Sequence, residues 1–136
     1  MKQDDIKVLI KYRINRAKET LLEVENLIKL GYFNTAVNRI YYACYYAVRA
    51  LIIKKQLFAK THEGVRQIFG LHYVKPGLIS KEHGKYFSDI FDRRQTGDYD
   101  DFVVYKKKTV EELYKPAQDF INAIEKLIGL AWFLSS

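Results

Sequence analysis

Apolar residues recur along this chain at intervals of three and four, which is the period of an amphipathic α-helix. The first such stretch covers about residues 4 to 30, with Asp4 and Asp5 suited to a helix N-terminus and Gly31 suited to a stop. Its apolar positions are Ile10, Ile14, Ala17, Leu21, Val24 and Ile28. The pattern therefore predicts one long helix with a single buried face.

The second predicted helix begins near Asn34 or Thr35, runs to about Gln56, and has two contrasting sides. Small and aliphatic residues on one side would let another helix approach closely: Ala36, Ile40, Ala43, Ala47 and Ala50. Another side holds Arg39, Tyr42, Tyr46 and Arg49. A short connection to the first helix predicts an antiparallel pair. The arginine and tyrosine side is a candidate surface for a phosphate or a base; the alternative is ordinary core tyrosines whose hydroxyls reach water.

Two shorter helices are predicted after a connection at residues 57–60. Thr61 is the expected N-cap of a helix from His62 to about residue 71, which Gly70 ends or loosens, and residues 74–77 read as a turn. Ser80 is the expected N-cap of the next helix, which ends within residues 92–101 with Gly97 as the breaker.

The last predicted helix keeps its apolar period across Pro116, which favours one bent helix over two separate helices. Its apolar positions are Val110, Leu113, Ala117, Phe120, Ile124, Leu127 and Ala131. No stretch alternates with the period of a strand. The sequence therefore predicts a single all-α domain over residues 1–136, built as an up-and-down helical bundle of about five helices.

Positive charge is concentrated in the middle of the chain. The net charge is +7, and residues 31–91 hold nine basic and three acidic residues. This excess fits an anionic partner such as RNA or a nucleotide, whereas solvated lysines on helix backs are the alternative. The single cysteine, Cys44, is predicted to be a small buried apolar residue, and the absence of a second cysteine favours a reducing compartment. With no secretory signal and no apolar run long enough for a bilayer, a cytoplasmic protein without membrane contact is expected.

The segment DRRQTGDYD, residues 92–100, is the second stretch with chemical content. Arg93 and Arg94 could together clamp a phosphate, since guanidinium groups bind phosphate oxygens bidentately. Alternatively, Asp98 pairs with one of these arginines and holds a salt-bridged helix end. A phenol, Tyr99, lies beside them.

The three histidines, His62, His72 and His83, lack the spacing of a helical metal site, so neither a metal nor a cofactor is expected. His62 follows the basic stretch at the start of a short helix. It could act as a general base or as a hydrogen-bonding group in a groove. The alternative is a surface histidine near a helix cap.

Four blocks, in this order and spacing, resemble the HEPN domain (higher eukaryotes and prokaryotes nucleotide-binding). They are NRIYYACYYA at 38–47, THEGVRQIFG at 61–70, KPGLI at 75–79 and RRQTGDYD at 93–100. The resemblance covers about residues 5 to 130 and is closest to small stand-alone bacterial and archaeal members. It implies an all-α bundle of the nucleotidyltransferase-substrate-binding-subunit type, a homodimer whose groove faces the partner subunit, and a nucleotidyltransferase partner in a toxin–antitoxin pair.

The chain departs from the family's ribonuclease motif. In the active ribonucleases, an arginine followed after four to six residues by a histidine cleaves RNA without metal. Counting from Arg93 or Arg94, the histidine positions hold residues 98–101, which are Asp, Tyr, Asp and Asp. The resemblance still implies that Arg93 or Arg94 faces a phosphate. By position, it also makes Tyr99 the candidate acceptor of a nucleotidyl group.

Three functions are compatible with these features. The first is a nucleotide- or RNA-binding module without strong catalysis, which would use the arginine and tyrosine side of the second helix together with Arg93, Arg94 and Tyr99. The second is a metal-independent endoribonuclease toxin in which Asp98, Tyr99 or His62 replaces the missing histidine, so whether the protein is an enzyme stays open. The third is a dimeric interaction scaffold whose arginines pair with Asp98 and Asp100.

Overall fold

The computed structural model describes residues 2–129, and regular structure within that range is helical throughout. The helices are α1 (Gln3–Lys29), α2 (Phe33–Lys54), α3 (His62–Phe69), α4 (Lys81–Tyr99) and α5 (Lys107–Ile128). A π-helical turn, Gly70–Val74, continues α3. The all-α prediction with five helices is confirmed for this range. Ala131, which was predicted as an apolar position of the last helix, lies outside the described residues.

Helices α1 and α2 form an antiparallel hairpin. Arg13 Nη1 donates a hydrogen bond to the Arg49 carbonyl at 3.2 Å, and Arg16 Nη2 donates one to the Tyr46 hydroxyl at 3.1 Å. The contacts move up α1 as they move down α2, which shows that the two helices run in opposite directions. Gly31, at φ +80°, makes the turn between them in a conformation that favours glycine.

Helix α2 lies at the centre of the bundle and packs against α1, α4 and α5. The small and aliphatic residues predicted to form its packing side, Ala36, Ile40, Ala43, Ala47 and Ala50, are all fully buried. Asn38 meets Asp98 and Tyr41 meets Arg94, so α4 runs antiparallel to α2. Asn38 and Tyr41 therefore lie against the last two turns of α4.

Helix α5 completes the up-and-down arrangement. Lys18 forms an ion pair with Glu125 at 2.5 Å, and Tyr114 donates to Glu25 Oε1 at 3.2 Å, so α5 is antiparallel to α1. Pro116 lies inside α5, which confirms one helix across this proline. None of the helices in the described range has the length and apolar character needed to cross a membrane.

The predicted helix caps are confirmed, but the predicted breaker is wrong. Thr61 Oγ1 accepts a hydrogen bond from Gly64 N at 2.9 Å, and Ser80 Oγ accepts one from His83 N at 3.1 Å. Gly97 does not end α4, which continues to Tyr99. Gly97 instead allows the Tyr105 ring to pack closely against the backbone of α4, because a Cβ at this position would lie 2.8 Å from Cε2 of Tyr105.

Candidate nucleotide and nucleic-acid site

Arg94 is a charged residue buried between α4 and α2. It is 6% exposed, and its Cζ lies 4.8 Å from the centre of the Tyr41 ring and 5.6 Å from that of Tyr42. Its Nη1 lies 3.7 Å from Asp98 Oδ2, an ion pair longer than a hydrogen bond. Its buried Nε has no hydrogen-bond partner among residues 2–129. Unsatisfied buried donors are uncommon and costly, so Arg94 is the first candidate for binding an anion.

A chain of polar contacts connects Arg94 with Arg39. Asn38 Nδ2 donates to Asp98 Oδ2 at 2.9 Å, while Asn38 Oδ1 accepts from Arg39 Nε at 3.1 Å and from Nη2 at 2.9 Å. Arg39 Cζ also lies 5.1 Å from the centre of the Tyr42 ring. Asp98 therefore acts here as a partner of Arg94 and Asn38, which is the salt-bridge alternative raised by the sequence.

His62, the first residue of α3, reaches the same tyrosines. Its Nδ1 lies 2.8 Å from the Tyr41 hydroxyl, and its ring stacks on Tyr45 with centres 4.3 Å apart. Burial lowers the pKa of His62, and the guanidiniums of Arg94 and Arg49 lower it further. Burial raises the pKa of the Tyr41 phenol well above its ordinary value. At neutral pH the pair is therefore a neutral imidazole and a protonated phenol.

The hydrogen bond to Tyr41 leaves His62 two chemical roles. If Tyr41 donates to Nδ1, then Nε2 carries the imidazole proton and can donate it. If Nδ1 carries the proton and donates to Tyr41, then Nε2 can accept one. Nε2 has no hydrogen bond to any residue within 2–129. His62 is thus able to serve either half of a proton transfer.

The predicted arginine and tyrosine side of α2 is partly exposed, as binding requires. Tyr46 accepts the hydrogen bond from Arg16 of α1, and Arg49 Cζ lies 5.7 Å from the centre of the Tyr45 ring. Tyr42 and Tyr46 lie with ring centres 6.0 Å apart. These residues continue the surface that begins at Arg39.

Arg93 and Tyr99 do not join Arg94. Arg93 Nε lies 3.2 Å from both carboxylate oxygens of Asp89, and Tyr99 is 73% exposed. Successive residues point about 100° apart around a helix, so Arg93 and Arg94 face different neighbours. The structure therefore does not bring the two arginines together as a clamp.

Three residues that form this site were not predicted from the sequence: Asn38, Tyr41 and Tyr45. A signal was available, because they recur at steps of three and four and so share one side of α2. Tyr41 is fully buried and Tyr45 nearly so, as ordinary core tyrosines are, and the helical pattern alone therefore did not mark them as site residues. Their partners lie on later helices: Asn38 contacts Asp98, and the two tyrosines contact His62, with Arg94 over the Tyr41 ring.

Known proteins resemble this chain in sequence over most of its length. The model of the HEPN domain matches residues 10–127. A UPF0332 protein of Thermotoga maritima is 41% identical over 120 residues, which cover 88% of this chain and 91% of the relative.

Two relatives come from Methanocaldococcus jannaschii. "Putative toxin MJ0142" is 33% identical over 115 residues, covering 85% of this chain and 78% of the relative. "Putative toxin MJ0605" is 30% identical over 124 residues, covering 91% and 92%. Because the family model spans most of the chain and these relatives align over nearly its whole length, the protein belongs to the HEPN domain family.

Proposed function

We propose that this HEPN protein binds a nucleotide or RNA through a phosphate group at Arg94, and that it acts with a nucleotidyltransferase-type partner in a toxin–antitoxin pair. The observation that carries the binding proposal is the buried Arg94 guanidinium, whose Nε lacks a hydrogen-bond partner in the described range. A phosphate offers several acceptors to a guanidinium fork. The names of the two Methanocaldococcus jannaschii relatives support the toxin–antitoxin setting.

Arg39 is the second cation of the proposed site. Asn38 and the Tyr42 ring already hold its guanidinium in place, so little side-chain entropy is lost when a phosphate binds. Asp98 already pairs with Arg94 at 3.7 Å and would move aside or share the guanidinium with the phosphate. The Tyr42 ring is available for a base, and such stacking contributes about 1–3 kcal/mol per base.

Fluorescence anisotropy with a labelled RNA oligonucleotide and with AMP tests the binding proposal. Losing a charge-assisted hydrogen bond costs about 1.5–3 kcal/mol, so Arg94→Gln and Arg39→Gln should each weaken binding about tenfold or more. Arg93→Gln is the matched control, because Arg93 neighbours Arg94 but pairs with Asp89. Wild-type affinity in both Arg94→Gln and Tyr42→Ala would contradict the proposal.

A second function, metal-independent RNA cleavage, is favoured by His62. The histidine missing from the Arg–His motif has a spatial counterpart here, because α3 places a neutral imidazole on the two tyrosines that Arg94 also contacts. His62 would take the proton of the 2′-hydroxyl while the 2′-oxygen bonds to phosphorus. The bond from phosphorus to the 5′-oxygen breaks, that oxygen takes a proton from water, and the proton held by His62 returns to the solvent. Arg94 stabilises the charge on the phosphate.

Incubating RNA with the protein in EDTA tests this second function separately from binding. Cleavage that is lost in His62→Gln and in Arg94→Gln, but kept in His83→Gln, would establish it. His83 is a suitable control because it lies in the first turn of α4 and faces Phe120. RNA left intact by a wild-type protein that binds it would rule out cleavage and leave the binding proposal standing.

The proposal includes a homodimer. Apolar side chains are exposed where α4 ends and the connection to α5 begins: Tyr99, Phe102 and Val104. Phe102 is fully exposed, and large apolar side chains exposed so close together in the chain are a candidate protein interface. Sedimentation equilibrium of wild type and Phe102→Asp tests it: a dimer that dissociates in the variant agrees, and a wild-type monomer at high concentration contradicts it.

A further inference from the structure

Four arginines on the joint face of α1 and α2 have tyrosines, the Asn38 amide or a backbone carbonyl as neighbours instead of carboxylates. They are Arg13, Arg16, Arg39 and Arg49. Within residues 2–129, none of the four has a carboxylate oxygen within 4 Å. Arg66 and Arg93, on other faces, each pair with an acidic side chain. The charge on this face is therefore not neutralised by the described part of the protein.

These arginines form a continuous surface with the tyrosines between them, which we call the arginine–tyrosine track. Arg39 lies over the Tyr42 ring, the Tyr42 ring lies 6.0 Å from that of Tyr46, and Arg16 lies 5.0 Å from the Tyr46 ring centre. The track consists of Arg13, Arg16, Arg39, Tyr42, Tyr46 and Arg49. It begins beside Arg94, which shares the Tyr42 ring with Arg39.

The track carries like charges at close range. Burial, and then the Arg49 guanidinium, lower the pKa of Arg13 to about 10, so Arg13 is still charged at neutral pH. Arg16 is hydrogen-bonded and stacked on Tyr46, and its position on the ring is thereby defined. Held cations that repel one another favour an anion which carries several charges over one that carries a single charge.

The length of the track indicates the kind of anion. Arg39 and Arg49 are ten residues apart on α2, which is about 15 Å along the helix at 1.5 Å per residue. The phosphates of one mononucleotide lie too close together to reach both ends. A strand on the order of four nucleotides, the smallest site size of modules that bind single strands, covers this distance.

We infer that the track binds a single strand of nucleic acid, with the Arg94 site holding the phosphate at one end. This inference rests on the proposed function and adds α1 to it, through Arg13 and Arg16. Phenol rings favour a single strand because its bases are free to stack, whereas bases in a duplex are not. Tyr12, one turn before Arg16 on α1, is 59% exposed and adds a ring at the far end.

The experiment compares four labelled ligands: a ten-nucleotide RNA, the DNA strand of the same sequence, the corresponding duplex, and AMP. Each is titrated by anisotropy over a series of salt concentrations. The RNA should bind more tightly than AMP, and its affinity should fall linearly with salt on logarithmic axes. An equal affinity for the DNA strand means that phosphates and bases suffice, and a preference for RNA adds a contact to the 2′-hydroxyl; both agree with the inference.

Variants at the far end of the track separate this inference from the proposed function. Arg16→Gln and Arg49→Gln should each weaken oligonucleotide binding about three- to tenfold and reduce the salt slope by about 0.7, while AMP binding stays unchanged. Lys29→Gln, which removes one charge near the end of α1, should change neither. Two variants are used so that one poorly folded protein does not decide the result.

Three outcomes overturn the inference. They are a duplex that binds more tightly than either single strand, an oligonucleotide that binds no more tightly than AMP, and unchanged slopes in both arginine variants. If Arg94→Gln still weakens binding about tenfold or more in those cases, the proposed function survives and only the track is lost. If wild-type protein binds none of the four ligands, the proposed function fails with it.

Discussion

The Tyr41 hydroxyl lies 2.8 Å from Nδ1 of His62, and the Arg94 guanidinium carbon lies 4.8 Å from the centre of the same Tyr41 ring. One buried ring of α2 thus connects the start of α3 with the last part of α4. Because Tyr41 is fully buried, it holds the imidazole and the guanidinium in a defined relation to each other. The chemistry of the candidate site depends on this relation.

Tyr41→Phe should separate the two contacts of that ring. The hydrogen bond to His62 is lost, which lowers the free energy of unfolding by about 1 kcal/mol, while the ring that faces Arg94 remains. RNA affinity should stay within about twofold of wild type, since the phosphate contacts are unchanged. Urea denaturation and anisotropy measure the two effects. A large loss of affinity would instead mean that the phenol contacts the ligand.

His62 should make the stability of the protein depend on pH in a defined direction. Its pKa is lowered in the folded state by burial and by Arg94 and Arg49, so the unfolded chain binds the proton more readily, near the ordinary pKa of about 6.5. Stability is therefore complete above about pH 6.5 and falls as the pH drops toward the lower pKa of the folded state.

Thermal unfolding from pH 8 to pH 5 measures this dependence in wild type and in His62→Gln. The variant cannot take up the proton, so its unfolding temperature should fall less than that of wild type over the acidic half of the range. Parallel curves for the two proteins would show that His62 titrates alike in the folded and unfolded chains.

Asp98→Asn should tighten phosphate binding. Asp98 lies 3.7 Å from Arg94 and competes with an incoming anion, whereas the amide keeps an oxygen that Asn38 Nδ2 can donate to. Removing a nearby like charge at a partly exposed position contributes about 1 kcal/mol, or roughly fivefold in affinity for AMP. Asp100→Asn is the control, because Asp100 is exposed and follows α4. Weaker binding in Asp98→Asn would show that the carboxylate positions Arg94 instead of competing with the ligand.

Gly97→Ala and Gly70→Ala should change stability in opposite directions. A Cβ at residue 97 would lie 2.8 Å from Tyr105, whose hydroxyl is hydrogen-bonded to the Arg93 carbonyl at 2.6 Å and cannot move away freely. The expected cost is about 1–3 kcal/mol from overpacking, partly offset by the better helix propensity of alanine. At residue 70 nothing lies within 4 Å and φ is −61°, so alanine should stabilise by about 0.4–1 kcal/mol.

Urea denaturation of the two glycine variants checks this pair of predictions. A stabilised Gly97→Ala would mean that the Tyr105 ring shifts without cost. A destabilised Gly70→Ala would mean that the π-helical turn needs the backbone freedom of glycine.

The helices themselves were predictable because each depends on a local pattern. Apolar residues at steps of three and four, and the side chains of Thr61 and Ser80 at helix starts, act within a turn or two of the backbone. The same locality explains why Pro116 could be placed inside one helix. The prediction that Gly97 ends α4 was wrong because the role of this glycine is not local. Glycine at this position leaves room for the Tyr105 ring, which belongs to the segment after α4.

The order of residues alone was enough to predict an all-α bundle, the small-residue packing side of α2, and the resemblance to the HEPN domain. Each of these features depends on the spacing of residues along the chain, either the helical period of apolar positions or the distance between motifs. The packing of the helices was needed to show which arginine faces the tyrosines, that His62 and Arg94 both contact Tyr41, and that α1 adds Arg13 and Arg16 to the surface. These contacts join residues more than twenty positions apart, and such distances are set by how the helices pack rather than by any local preference of the chain.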